Sequence, residues 1–191
     1  MSEARPLFYR KRELMSVIFL MHSMAVIAQT LPDRRYTTRD GLVADRITAI
    51  TQDEKGFMWI GSLFGISRYD GTRFTTLRLP ALQQHKYVTS LLAADSKVYA
   101  GFLFGGGLME YDKGKVITHL IHPGKRPSNN DLTALFDDPR GIIAINTANE
   151  AFLFQNGAFQ YLFTSDSTKG DIFSIASGVG GRIWVGTTKG L

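Results

Sequence analysis

At 191 residues, with 44% hydrophobic and 20% charged residues, the chain has the composition of one folded domain and not of a disordered segment. The net charge is +5, but part of the excess (Arg5, Arg10, Lys11 and Arg12 against Glu3 and Glu13) sits in the first 28 residues and the remaining Lys and Arg are scattered, whereas nucleic-acid binding takes a clustered basic face. No cysteine is present, which excludes disulfides and thiol chemistry.

The chain opens on a basic stretch, Arg10-Lys11-Arg12, followed by an apolar run of 15 residues from Leu14 to Ala28. That run is short of the roughly 20 residues a membrane span requires. With Val26-Ile27-Ala28 before Gln29 it predicts a secretory signal peptide over 1–28, and a mature chain outside the cytoplasm, in the periplasm. No later segment is apolar enough to span a bilayer. Residues 29–45 read as a lead-in, with Arg34–Thr38 expected to supply an outer strand that closes a ring.

From residue 46 the sequence repeats. "ITAITQDEKGFMWIG" (Ile47–Gly61) returns as "VTSLLAADSKVYAG" (Val88–Gly101), "LTALFDDPRGIIAIN" (Leu132–Asn146) and "IFSIASGVGGRIWVG" (Ile172–Gly186). The anchors Gly61, Gly101, Asn146 and Gly186 lie 40, 45 and 40 residues apart. A period near 40 is that of a propeller blade. Units are expected near 46–80, 87–120, 131–163 and 171–191, the last one truncated.

Within each unit the first strand carries Ile47, Val88, Leu132 and Ile172 in one column and Ile50, Leu91, Leu135 and Ile175 in another. Small residues stand between them: Ala49, Ser90, Ala134 and Ser174. β-Branched content, short length and the turn that follows favour strand over helix. The turn varies: Asp53-Glu54-Lys55-Gly56, Asp95-Ser96-Lys97, Asp138-Pro139-Arg140-Gly141 and Gly178-Val179-Gly180-Gly181. One corner built by four chemistries is a geometric requirement.

The second strand is apolar throughout, as a strand covered on both faces should be. It places Trp59, Tyr99, Ala144 and Trp184 in one column. A third strand runs into Tyr69-Asp70-Gly71, Asp112-Lys113-Gly114 or Gln155-Asn156-Gly157, which are hairpin signals, and a fourth strand follows. The fold class is therefore all-β: four-stranded antiparallel meanders forming β-propeller blades, about four of them, in an incomplete propeller. Unpaired edges and an uncovered blade face lead to the expectation that the chain is part of a longer protein.

"GLVADRITAITQDEKGFMWIGSLFGISRYDGTRF" (Gly41–Phe74) resembles the start of a two-component regulator propeller. The elements shared are Gly-Leu, an apolar strand, Asp-x-x-Gly-x-x-Trp-x-Gly, Gly-Ile and Tyr-Asp-Gly. The fourth unit keeps Gly-x-x-Trp-x-Gly-Thr, with Gly178 in place of the Asp, and the middle units are degenerate. Such domains are the periplasmic sensor regions of bacterial hybrid histidine kinases, of the Bacteroidetes type. The resemblance implies a ligand outside the inner membrane, often an oligosaccharide, a homodimeric parent, and a transmembrane helix leading to a histidine kinase that this chain lacks. The alternatives are a secreted propeller enzyme of glycosidase or lyase type and an interaction module without a small ligand.

No catalytic, metal, cofactor or ligand-binding residue is assigned from sequence. Asp53-Glu54 is an acid pair, but neighbouring residues diverge and Asp53 has a turn to make. Thr51, Asp53, Gly56 and Trp59 also resemble the Asp-box of sialidase-type propellers, itself a structural turn. His119 and His122, spaced H-x-x-H, have no third ligand close by and read as solvated loop histidines. Gly105-Gly106-Gly107 precedes a strand, not a helix that could hold an anion, and reads as a widened hairpin. Arg182 reads as an exposed strand residue.

Overall fold

The computed structural model describes residues 33–84, 86–166 and 168–190, so the signal peptide expected at 1–28 lies outside the described residues. The chain divides into two units, Met1–Arg35 and Tyr36–Leu191, and among the described residues every strand belongs to the second. Asp33–Thr37 has no regular structure and Thr38–Asp40 is a 3-10 turn, so the segment Arg34–Thr38 is not a strand here.

Among the described residues fourteen strands follow. The first blade is β1 (Ile47–Gln52), β2 (Met58–Ser62), β3 (Gly65–Tyr69) and β4 (Phe74–Thr76). The second is β5 (Val88–Ala94), β6 (Lys97–Phe102), β7 (Gly107–Asp112) and β8 (Lys115–His119). The third is β9 (Leu132–Asp138), β10 (Gly141–Asn146), β11 (Glu150–Gln155) and β12 (Ala158–Thr164). A two-stranded sheet, β13 (Ile172–Ser177) and β14 (Ile183–Thr187), stands in fourth place. Every sheet is an antiparallel meander in chain order, and first strands pack on first strands from sheet to sheet. The architecture is that of propeller blades in an incomplete ring.

The core lies between the blades. Trp59 and Ile66 of the first blade meet Val98, Ala100, Phe102 and Met109 of the second. Tyr99 and Leu108, on the opposite face of the second blade, meet Leu135, Ile142, Ala144 and Phe154 of the third. Ile143, Ile145, Ala151 and Leu153 then cover Ile172, Ile175 and Ile183. Each second strand thus sends alternate residues to its two neighbours, which is why it is apolar at nearly every position.

That alternation corrects two of the sequence columns. Thr51 pairs with Trp59, Leu92 with Tyr99, Phe136 with Ile143 and Ala176 with Trp184. The residue equivalent to Trp59 is therefore Ile143, not Ala144, and the equivalent of Gly61 is Ile145, not Asn146. The cause is the corner before β10. Asp138 pairs directly with Gly141, leaving the two-residue turn Pro139-Arg140, whereas five residues separate the paired Gln52 and Met58. The third unit is one residue shorter there than the first.

One irregularity recurs in all four first strands. The ladder slips between Ile47 and Ala49, between Val88 and Ser90, across Thr133, and between Ile172 and Ser174. The extra residues are Thr48, Thr89, Thr133 and Phe173. A bulge re-aims one side chain out of the sheet, and the threonines use it. Thr48 Oγ1 donates to the Val88 carbonyl at 2.6 Å and Thr89 Oγ1 to the Leu132 carbonyl at 2.8 Å, each tying its blade to the next. Thr133 Oγ1 instead donates to Ile145 of its own blade, at 3.2 Å.

Candidate functional site

Propeller loops fall at two ends. One end carries the corners between first and second strands and the tips between third and fourth. The other carries the turns between second and third strands and the connections between blades.

At the first end the polar groups satisfy one another. The Asp53 carboxylate accepts from the backbone N–H groups of Lys55 and Phe57, both at 3.0 Å, and from the Trp59 indole at 2.8 Å. Glu54 accepts from Ser96 of the next blade at 2.5 Å. Asp138 takes two side-chain bonds from Arg140, at 2.7 and 3.0 Å, and one from Ser177 at 2.6 Å. Those from Arg140, above all, hold its carboxyl well below the usual range.

A cleft of about 680 Å³ opens here between the second and third blades. Its buried heart is Glu110, which accepts from Lys97 Nζ at 2.6 Å and is bonded to His119 Nε2 at 3.0 Å. Burial opposes the charge on Glu110, but the bonds from Lys97 and His119 outweigh it and its pKa falls below the ordinary carboxyl value; Lys97, bonded to Glu110, is raised. Burial raises the Tyr99 phenol at the same place. His119 also lies against Phe154, ring centroids 4.6 Å apart, and His122 against Phe152 at 6.0 Å. His119, at the end of β8, and His122, in the loop after it, are thus half-buried packed side chains and not solvated ones. The reason is cross-strand geometry: Glu110 pairs with Tyr99 on β6 and Ile117 on β8, which sets Lys97 and His119 at its diagonals. With both oxygens engaged, Glu110 serves as an ion-pair centre.

The second end carries the starts of the first strands. A depression of about 350 Å³ is lined by Arg46, Ile47, Thr48, Tyr87, Thr89, Leu103 and Thr133, where the first strands begin around the ring centre. The three bulged threonines all line it. Since Thr48 and Thr89 donate their protons to carbonyls, those oxygens are left to accept, while the exposed Arg46 donates. The lining thus combines hydroxyl acceptors with one guanidinium donor.

Of the residues weighed from sequence, the structure puts Asp53 in a corner, with Arg182 exposed at the turn before β14, its carbonyl accepting from Gly178 at 2.7 Å. Gly105 and Gly106 lie in the turn before β7, and Gly107 begins that strand. Among the described residues no group of three or more His, Asp or Glu could hold a metal ion. Sequence reading missed the threonine column, although Thr48, Thr89 and Thr133 stand at one position of the repeat.

The stacked meanders define a β-propeller protein. Within it, residues 41–64 match the family model described as two component regulator propeller, so the first blade carries a repeat of that family. No curated protein matches the chain. Among solved structures it is similar to the extracellular domain of BT3049 from B. thetaiotaomicron, assigned to a hybrid two component system. That match has 18% identity and TM-score 0.50, over 82% of this chain and 29% of that one. It is similar also to the extracellular domain of BT4673 from the same organism, assigned to a one component system, at 17% identity and TM-score 0.56, over 80% and 25%. Virginiamycin B lyase from Staphylococcus aureus matches at 14% identity and TM-score 0.63, over 76% and 50%. The chain thus spans a quarter to a half of these proteins' lengths, and at such identities the shared property is the fold. Among the described residues no helix is long and apolar enough to cross a membrane.

Proposed function

We propose that this propeller is the periplasmic sensing part of a two-component signalling protein, and that it takes an oligosaccharide at the mouth lined by Arg46, Tyr87 and the bulged threonines. The observation that carries the reading is the two-component regulator repeat at residues 41–64, set in a stack of blades. The extracellular placement of the BT3049 and BT4673 domains supports export. Occupancy of the mouth would shift how first strands pack around the ring centre, and a homodimeric parent would pass that shift to a histidine kinase across the inner membrane.

Thermal unfolding of the chain against a panel of oligosaccharides tests the ligand. A specific binder at one hundred times its dissociation constant adds about 2.7 kcal/mol, which for a domain of this size raises Tm by about 5–10 °C. A panel that leaves Tm unmoved throughout rejects oligosaccharide sensing. Consumption of a saccharide in the same mixtures would favour the secreted-enzyme reading.

A further inference from the structure

The turn between β6 and β7 holds a residue that turn chemistry alone would not choose. Phe104 has φ +59°, in the left-handed region. A side chain there crowds its own backbone, and Asn, Asp or Gly is the ordinary occupant. The other non-glycine residues with positive φ follow that rule or are at least polar: Asp95, Ser96, Lys113, Asn149 and Asn156. The equivalent turn of the third blade uses Asn149, at φ +57°, and that of the first uses Gly65. Phe104 is the one aromatic among them, and its side chain is 63% exposed, so burial does little to offset the conformation.

The turn is nevertheless firmly held. The Lys86 ammonium donates to the Phe104 carbonyl. Leu103 N–H donates to the Tyr87 carbonyl at 3.0 Å, Gly105 N–H to Asp131 Oδ1 at 2.5 Å, and Gln83 Nε2 to the Gly106 carbonyl at 2.9 Å. Gly105 sits so close to Pro127 that an added Cβ would lie 2.5 Å from the proline Cβ. Residues from both flanking connections thus fix a tip whose ring is largely exposed; its chain neighbour Leu103 lines the mouth and is bonded there to Tyr87, which lines it too. The corresponding turn of the first blade, Leu63-Phe64-Gly65, offers a second ring at the same end, Phe64 being 58% exposed.

We propose that Phe104 is a ligand-stacking residue, its ring receiving the apolar C–H face of a sugar while the mouth's hydroxyls and Arg46 engage that sugar's polar edge. This rests on the oligosaccharide reading above and adds the residue and the contact. A rigid aromatic ring loses little conformational freedom on binding, and a strained residue kept on a well-braced tip is a mark of function.

The test compares the full chain with Phe104→Asn, which puts an ordinary left-handed occupant on the tip, and Phe104→Trp. Linear xylo-, manno- and chondroitin hexasaccharides serve as probes in calorimetric titration, beside thermal unfolding. Phe104→Asn is expected to leave Tm unchanged or raise it, and to weaken the probe that binds by about tenfold. Phe104→Trp is expected to keep the affinity. A fall in Tm for Phe104→Asn would show that the ring is there for packing and would overturn the proposal. A saccharide bound equally by wild type and Phe104→Asn would overturn the stacking role while leaving the oligosaccharide reading intact. Binding of none of the three by wild type would remove both.

Discussion

Asp53 shows what one side chain contributes. Its two oxygens accept three N–H groups, one of them from an indole that is 1% exposed. Replacing it by alanine leaves the buried Trp59 Nε1–H without a partner, and Asp53→Ala should cost about 2–3 kcal/mol, read as a lower midpoint in urea. The fourth unit is the natural comparison. Gly178 stands where Asp53 stands, and Trp184 is 52% exposed. Glu110 makes a second residue-scale prediction. Its folded pKa lies below the ordinary 4.5, so its bonds add stability above that value and lose it as pH falls through the folded pKa. Lys97 is raised above the ordinary 10.5, so its share is present below that value and is lost as pH rises through the folded pKa. Lys97 is a third exposed, which screens the pair. Glu110→Gln should therefore cost about 1–2 kcal/mol at neutral pH and flatten the pH dependence of Tm below 4.5. An acid limb as steep as that of the wild type would refute the assignment.

The blade was legible in sequence at the level of elements, and less so at the level of faces. Strand after strand follows its pattern; β8, for one, runs from Lys115 to His119 between Lys113-Gly114 and a loop, as its hairpin signal predicts. The failure at Ala144 is physical. Strand periodicity is two, so a deletion of one residue in the Pro139-Arg140 turn turns every β10 side chain to the other blade. A continuous apolar run such as Ile142–Ile145 carries no alternation from which to see it. The candidate mouth was less legible still, because its threonines come one from the start of each of three first strands and its other residues from segments beside them. The bulge at Thr48, Thr89 and Thr133 can be found only from register, and it has a consequence. Thr89→Val keeps the β-branched shape but removes the bond to the Leu132 carbonyl, so it should lower stability by about 0.5–1.5 kcal/mol. Thr133→Val breaks a bond within one blade. Combined with a third-blade core truncation, Thr89→Val should be non-additive in a double-mutant cycle, and Thr133→Val should contribute no interblade coupling.

At the scale of the whole molecule, stability should be distributed by how many faces of a blade are covered. The second blade is covered on both. Val98, Ala100, Phe102 and Met109 are buried toward the first blade, Tyr99 and Leu108 toward the third. The sheet β13–β14 is covered on one face, by Ile143, Ile145 and Leu153, and its other face leaves Trp184 52% exposed. Blades touch mainly their sequence neighbours, so the stack approximates a linear array in which each unit's stability is its own plus two interface contributions. An array of this kind opens from its less covered end before it opens in the middle. Amides of β13 and β14 should therefore exchange with solvent through a low-energy local opening, while those of β6 and β7 exchange only with global unfolding. Native-state hydrogen exchange across a series of low denaturant concentrations separates the two. The β6 and β7 amides should follow the global unfolding free energy and its full denaturant slope, and those of β13 and β14 a smaller energy and a shallower slope. If all four strands shared one isotherm, the blades would be a single cooperative unit and the nearest-neighbour account would fail. A saccharide that engages Thr48, Thr89 and Thr133 together would join three blades at once. It should raise protection along β1, β5 and β9 more than in β14, which lies outside the mouth.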